Sequence, residues 1–235
     1  MSLPRVYYSS KQNLICDALI VLPTFQVVRI SLALRMRKGD ELIIFNERDG
    51  SFLAVIQKLQ NECIVQIRKF LKSPEILKTL IVGVPCIKNH RFNFILEAIT
   101  QLGATSIIPM KFDRSNFVSI KPDKILKQVI GAVEQCGRHS IPLIESPLNL
   151  SEFVSSYEFI VCANEKSHTS FMCFSDSICR SENIAVLVGP EGGFSESEQQ
   201  ILTSAANVKN VTLGSLILRS ETAVSSVLSQ IRLLY

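Results

Sequence analysis

Residues 184–223 read IAVLVGPEGGFSESEQQILTSAANVKNVTLGSLILRSETA, and this stretch decides the fold of the C-terminal part of the chain. It holds two successive strand–loop–helix units, each with its loop at the end of an apolar run. The first loop is Gly189-Pro190-Glu191-Gly192-Gly193, and the second runs from Leu213-Gly214 through Arg219. Glycines at the carboxyl end of a buried strand let a ligand approach bare backbone. Two such loops side by side make a pocket for a small molecule, so the sequence predicts a ligand-binding α/β domain here.

The same texture extends upstream to Thr79. TLIVGVP (79–85) is apolar enough for a buried parallel strand. Arg91–Leu102 follows with Phe92, Ile95, Leu96 and Ile99 on one helical face, and Gly103 stands where a C-cap glycine belongs. ATSIIPM (104–110) is the next strand. Pro122 opens a helix through about Gln135, with Ile125, Leu126, Val129 and Val133 on its inner face. Phe159–Ala163, Ile184–Val188 and Val208–Leu213 supply three more strands. Ser195 and Glu198 form a capping box at the start of one helix. Ser220 is the expected N-cap of the last helix, with Glu221 in its first turn. Strands alternating with helices imply a mostly parallel sheet covered on both faces.

The first third reads as β structure. Glu41–Phe45, Phe52–Ile56 and Cys63–Ile67 are short β-prone runs, and Asp49-Gly50 favours a tight hairpin between the first two. Lys38-Gly39-Asp40 is a second turn signal. Residues 71–78, LKSPEILK, place the boundary between a small barrel over 1–72 and an α/β domain over 73–235. Residues 1–72 carry 11 Lys/Arg against 6 Asp/Glu, a net +5, whereas residues 73–235 carry 14 against 15, a net −1. A basic front module beside a near-neutral ligand module points towards nucleic acid, although charge alone also fits an ordinary wet surface.

No apolar run approaches the roughly 18 residues of a membrane span. The opening MSLPRVYYSSKQN lacks the apolar core of a secretion signal, so a cytoplasmic protein is expected. Seven cysteines without a CxxC pair argue against metal ligation and a disulfide framework, and most are expected to be buried packing residues in a reducing compartment. GPEGG is neither the GxGxxG nor the GxxxxGK[ST] fingerprint. Pro190 removes one donor while Gly192 and Gly193 keep the wall thin, which suits a neutral adenosine-like ligand better than a pyrophosphate. A tight turn with glycines for steric reasons alone is the plain alternative.

Taken together, the two loops are specific. GPEGGFSESE followed by LGSLILRSETA closely resembles the signature of RsmE-type methyltransferases, knotted SPOUT-class enzymes that methylate N3 of a uridine in 16S ribosomal RNA. LALRMRKGDELIIF (32–45) resembles the family's basic segment in a PUA-like β-barrel. IIPMKFDRS (107–115) resembles its "IIPL…ERS" strand and loop, and EQCGRHSIP (134–142) its "EQCGR…VP" helix end. Five islands in family order span most of the chain.

The resemblance implies a C-terminal SPOUT domain with a trefoil knot that binds S-adenosylmethionine, preceded by a PUA-like barrel. It implies three pocket walls: Cys162-Ala163-Asn164-Glu165; Val188, Gly189, Pro190, Glu191, Gly192 and Gly193; and Leu213, Gly214, Leu216, Ile217 and Leu218 through to Ala223. It also implies a homodimer, no metal, and 16S ribosomal RNA or the small ribosomal subunit as partner. Arg219 is the candidate catalytic group, a stabiliser of negative charge on the base, or else an ion-pair partner of Glu191 or Glu221. Arg114 and Arg138 are candidate RNA contacts, as are Arg35, Arg37 and Lys38 on the barrel; solvated arginines are the alternative. His139 is a weak candidate for base contact, while His90 and His168 stand alone as surface residues.

Departures from the family fall on the RNA side. The "QKxxELG" segment is replaced by residues 96–103, LEAITQLG, with Glu97 and Gln101, Leu216 stands where an arginine is common, and Ser220 replaces a threonine. A methyltransferase with another RNA target and a catalytically silent ribosome-assembly protein therefore remain as alternatives.

Overall fold

The computed structural model describes residues 3–9, 12–87, 89–115 and 121–234. The chain divides into two compact units, Met1–Ile76 with Val133–Ile141, and Leu77–Ala132 with Pro142–Tyr235. The expected division at 72/73 thus shifts by a few residues. A second difference is larger: 133–141, which carries most of EQCGR, counts with the first unit.

In the first unit the strands are β1 (Arg5–Tyr7), β2 (Leu19–Leu22), β3 (Glu41–Asn46), β4 (Gly50–Leu59) and β5 (Cys63–Lys72), with a short helix α1 (Thr24–Val28). They form one sheet in the order β1-β3-β4-β5-β2, parallel only between β1 and β3. The β3–β4 hairpin closes as the Asp-Gly pair predicts, with Asn46 opposite Gly50 and Gly50 at φ +87°. Alternating residues of β3, β4 and β5, among them Leu42, Ile44, Ala54, Ile56, Val65 and Ile67, fill one apolar cluster with Ile20 and Ile30.

Residues 133–141 are held in that unit by polar contacts. The Glu134 carboxylate is 4% exposed; it accepts from the backbone N–H of Tyr7 at 2.8 Å and the Gln26 amide at 3.1 Å, and it pairs with Arg29. His139, 1% exposed, meets the Glu75 carboxylate through Nδ1 and packs edge-on to Phe45 at 5.9 Å. Arg5 lies over the same Phe45 ring, 4.2 Å from its centroid, and donates to the Arg138 carbonyl.

The second unit contains β6 (Thr79–Pro85), α2 (Asn89–Gln101), β7 (Ser106–Lys111), α3 (Pro122–Cys136, its last turn counting with the first unit), β8 (Leu143–Ile144), β9 (Leu148–Asn149), α4 (Leu150–Ser156), β10 (Ile160–Ala163), α5 (Ser175–Arg180), β11 (Asn183–Val188), α6 (Glu196–Ser204), β12 (Val208–Val211) and α7 (Ser220–Leu234). The sheet runs β12-β10-β11-β6-β7-β8, with β9 also on β7, and every pairing among the described residues is parallel. Its inner strands are buried on both faces, as continuous apolar runs require. Phe153 of α4 and Leu202 of α6 pack with Ile81, Ala185 and Leu187 in one cluster.

Three sequence expectations need correction. Leu126 is 40% exposed, so the inner face of α3 is Ile125, Val129 and Val133. Only Cys63, Cys86 and Cys162 are buried; Cys16, Cys136, Cys173 and Cys179 are exposed, because they fall in a loop, at the end of α3 and in short surface helices. Ser220 opens α7 itself and uses its hydroxyl elsewhere, as described next.

Candidate functional site

Three neighbouring strands of the parallel sheet end level with one another. Ala163 of β10 pairs with Val188 of β11 on one side and with Val211 of β12 on the other. The three connections that follow therefore leave the same sheet edge side by side, where ligands bind in open α/β sheets. Between them lies a cleft of about 670 Å³, part of it open to solvent.

Each wall is fixed by its own hydrogen bonds. In the first, Asn164 is 3% exposed; its amide donates to Gln199 Oε1 and Asn210 Oδ1, both at 3.0 Å, and its oxygen accepts from the backbone of Lys166. Glu165, beside it, extends an exposed carboxylate into the cleft. In the second, Gly193 N–H donates to Pro190 O at 2.9 Å and closes the glycine loop as a turn, with Gly193 at φ +67°. A Cβ at Gly193 would lie 2.9 Å from a Glu165 oxygen, so the two walls meet there. The third is tied to the second by the Ser220 hydroxyl, which donates to the Gly189 carbonyl at 3.0 Å.

The glycine loop is braced from outside. The capping box forms, with Ser195 N–H donating to Glu198 at 2.8 Å and Glu198 N–H to Ser195 Oγ at 3.2 Å. Glu198 also accepts from Asp113 N–H at 3.0 Å, and Ser195 Oγ donates to Asp113 at 2.6 Å. These bonds bring the 111–115 loop against the glycine loop, with the Arg114 carbonyl 3.0 Å from where a Gly192 Cβ would stand. Two of the resembling islands, distant in sequence, are one structure.

Most residues assigned to the pocket line it: Ala163, Asn164, Glu165, Val188, Gly189, Pro190, Gly193, Leu213, Gly214, Leu216, Ile217, Leu218 and Ala223. Three do not. Cys162 is fully buried within the sheet, and burial pushes its thiol pKa up. Glu191 points away to an ion pair with Arg91, and Gly192 backs onto Arg114. The structure adds Phe194, Thr212, Ser215 and Ser220. Phe194 is signalled by its place directly after Gly193, and Ser220 by the same LRSETA run that gave Ala223; only tertiary contact shows either as a wall.

Arg219 is exposed, stands outside the lining, and forms no ion pair with Glu191 or Glu221 among the described residues. Arg114, Arg35, Arg37 and Lys38 are exposed. Arg138 is only 9% exposed and donates to Ser140 Oγ at 3.0 Å, a setting that orders its own segment. His139 is buried likewise, His168 is exposed, and the side chain of His90 lies outside the described residues.

The lining sets the chemistry the cleft can hold. Val188, Phe194, Leu218 and Ala223 provide an apolar surface for a flat ring, and backbone groups of 189–193 and 213–218 offer hydrogen bonds. Glu165 is the lone charged lining side chain among the described residues. With a carboxylate and no cation, the cleft disfavours a polyphosphate and suits a cationic molecule bearing hydroxyls. Such a set fits the adenosine and sulfonium of S-adenosylmethionine. No group of three or more His, Cys, Asp or Glu is placed to hold a metal ion among the described residues, and no helix among them is long and apolar enough to cross a membrane.

Comparison with known proteins bears on the same regions. Residues 74–232 match the RNA methyltransferase domain family, and residues 33–68 match the RNA methyltransferase PUA domain family. The ribosomal RNA small subunit methyltransferase E of Rickettsia conorii is 36% identical over 87% of this chain and 85% of its own. The protein of that name from Buchnera aphidicola is 28% identical over 98% and 96%. A Legionella pneumophila methyltransferase solved with bound S-adenosylmethionine superposes with a TM-score of 0.87 at 26% identity, over 99% of this chain and 98% of its own. The two domain matches, the 36% identity and the whole-chain superposition agree: this chain belongs to the ribosomal RNA small subunit methyltransferase E family.

Proposed function

We propose that this protein transfers a methyl group from S-adenosylmethionine to N3 of a uridine in 16S ribosomal RNA. The observation that carries the reading is the cleft at three level strand ends, lined by glycine backbone, apolar side chains and the Glu165 carboxylate. When bound, the cofactor supplies the methyl group and its sulfur leaving group.

The chain's own residues have two tasks. The first is to hold the methyl donor: Glu165 accepts from hydroxyls and balances positive charge, Leu218 and Ala223 flank the ring, and the Ser220–Gly189 bond keeps the second and third walls together. The second is to favour the deprotonated form of the base, since the N3–H of uridine must be lost as the new bond forms. A guanidinium near the developing negative charge lowers that cost. Arg219, at the end of the third wall and without a competing ion pair to Glu191 or Glu221 among the described residues, is assigned this role; Arg114, beside the glycine loop, is assigned to RNA phosphate.

The proposal includes the trefoil knot and a homodimer. The resemblance of residues 189–223 to the signature of the knotted family supports the first. Exposed Phe94 on α2 and Leu233 on α7, helices that pack side by side, support the second. Leu216, 78% exposed where the family commonly has an arginine, favours as a second reading an RNA target other than the usual one.

The test is mass spectrometry of 16S ribosomal RNA from cells with and without the protein. Loss of one 3-methyluridine, restored by the wild-type chain, is the expected result. An unchanged nucleoside profile overturns the proposal.

A further inference from the structure

The exposed end of β5 carries features that neither the cleft nor the basic turn at Arg35–Lys38 uses. Cys63, Val65 and Ile67 face the core, but the five residues after them, Arg68-Lys69-Phe70-Leu71-Lys72, are all exposed. The register explains the change. Ala54 stands opposite Ile67 and Leu53 opposite Lys69, so Arg68 is an extra residue on β5. Such a bulge flips the alternation and re-aims the side chains beyond it. Phe70 then falls opposite Phe52 and meets it edge-on, ring centres 5.3 Å apart, while remaining 46% exposed. Leu71 is a second extra residue, because Ser51 stands opposite Lys72; Lys69, opposite Leu53, and Lys72, opposite Ser51, therefore share one face at this free strand end, and Phe70 takes the other.

Positive charge here is not compensated locally. Strands β4 and β5 together contain Lys58, Arg68, Lys69 and Lys72 and no acidic residue. Lys58 is paired with Glu62 in the turn. The acids nearest in sequence to the far end of the pair are already engaged. Asp49 accepts from Arg48, Asn46 and the Leu14 backbone, and Glu75 is held by His139. Among the described residues, Arg68, Lys69 and Lys72 make no side-chain hydrogen bond or ion pair, and each is exposed.

We infer that the bulged end of β5 is an RNA-binding platform, in which Arg68, Lys69 and Lys72 contact successive phosphates of a single-stranded segment and the Phe70 ring stacks on a base. This rests on the RNA-methyltransferase reading and adds a second contact surface to it. An exposed aromatic with three exposed cations within five residues is the combination that single-stranded nucleic acid selects. A purely apolar protein partner would gain nothing from the cations and would have to desolvate them.

The test uses the full chain and a fluorescein-labelled, mixed-sequence oligoribonucleotide of about 12 nucleotides, within the range of single-strand site sizes. Replacing Arg68, Lys69 and Lys72 together with Gln should lower the slope of log affinity against log salt by about 2, at about 0.7 per phosphate contact on a single strand. Phe70→Ala should weaken binding at least about fivefold, the low end for one base–aromatic stack. Phe70→Tyr should restore it and Phe70→Leu should not. Affinity for S-adenosylmethionine should stay at the wild-type value in all four, and circular dichroism should show wild-type secondary structure and a single wild-type-like melt in each. A wild-type salt slope in the triple variant, or full binding by Phe70→Leu, overturns the platform while leaving the methyltransferase reading intact. A wild-type protein that binds no RNA overturns both.

Discussion

Gly193→Val separates backbone strain from obstruction of the cleft. At φ +67° a side chain costs about 1–2 kcal/mol, and a β-branched one is a true outlier. The new Cβ would also lie 2.9 Å from a Glu165 oxygen and 3.8 Å from its Cδ. That carboxylate is the free end of an exposed side chain, so it will swing aside rather than push the backbone. If the loop instead relaxes to negative φ, that strain is exchanged for loss of the Gly193–Pro190 bond, about 0.5–1.5 kcal/mol. Stability should therefore fall by about 1–2 kcal/mol in a urea titration. The methyls and the displaced Glu165 both intrude on the cleft, so S-adenosylmethionine affinity measured by calorimetry should fall at least about tenfold. Gly39→Val is the matched control: Gly39 has φ +95°, no atom within 4 Å of its added Cβ, and no place in the lining. It should lose comparable stability and bind the cofactor normally. Wild-type affinity in folded Gly193→Val, or equal loss in Gly39→Val, refutes the assignment of this loop as a wall.

Other outcomes follow from particular contacts. Arg219→Ala should cut methyl transfer by about 10²-fold or more while sparing cofactor affinity, as removal of a charge-stabilising donor does; normal turnover would return Arg219 to a structural role. Glu134→Ala removes the acceptor of Tyr7 N–H, Gln26 and Arg29. Breaking a buried pair costs about 3–5 kcal/mol, and because the Arg29 side chain is 36% exposed the loss should sit near 3 kcal/mol by urea unfolding. Asp49, beside the Arg48 guanidinium and accepting from Leu14 N–H and Asn46, has its carboxyl pushed down from 3.8 to about 2. A depressed carboxylate pKa stabilises the folded state above the unfolded value and loses that contribution as pH falls through the folded one. Asp49→Asn should thus show a smaller drop in melting temperature between pH 3.8 and about 2 than the wild type; identical acid limbs would show that the contact contributes nothing.

Much of the second unit is legible because its signals are local. A run such as Thr79–Pro85, buried from Leu80 onward, can only be a strand covered on both faces. The capping box at Ser195 and the hairpin at Asp49-Gly50 are set by neighbours in sequence. Elements that escaped the periodicity are short or depend on distant partners. β1 spans three residues and is held by β3, and β8 and β9 span two each beside β7. α4 has its own capping box, Asn149 with Glu152, a signal present in the sequence but obscured by the brevity of the helix. That 133–141 counts with the first unit could not be read, since Glu134 finds Tyr7 across 127 positions.

The cleft shows the same division. Glycine loops after apolar runs announce a pocket, and thirteen of its assigned residues line it. Cys162 fails because strand alternation turns it into the sheet while Ala163 faces out, and Glu191 because Arg91 draws it to the outer side of the loop. Arg138 and His139 look like free polar groups in a motif, yet burial against Arg5, Phe45, Glu75 and Ser140 gives them structural work.

Titration of the isotopically labelled protein with S-adenosylmethionine, followed by backbone amide NMR, tests the three-walled receptacle most directly. Saturable shifts at Ala163, Glu165, Gly189, Gly193, Gly214, Leu218 and Ala223, at one equivalent per chain, are the expected result. Shifts centred elsewhere, or none at millimolar cofactor, contradict it.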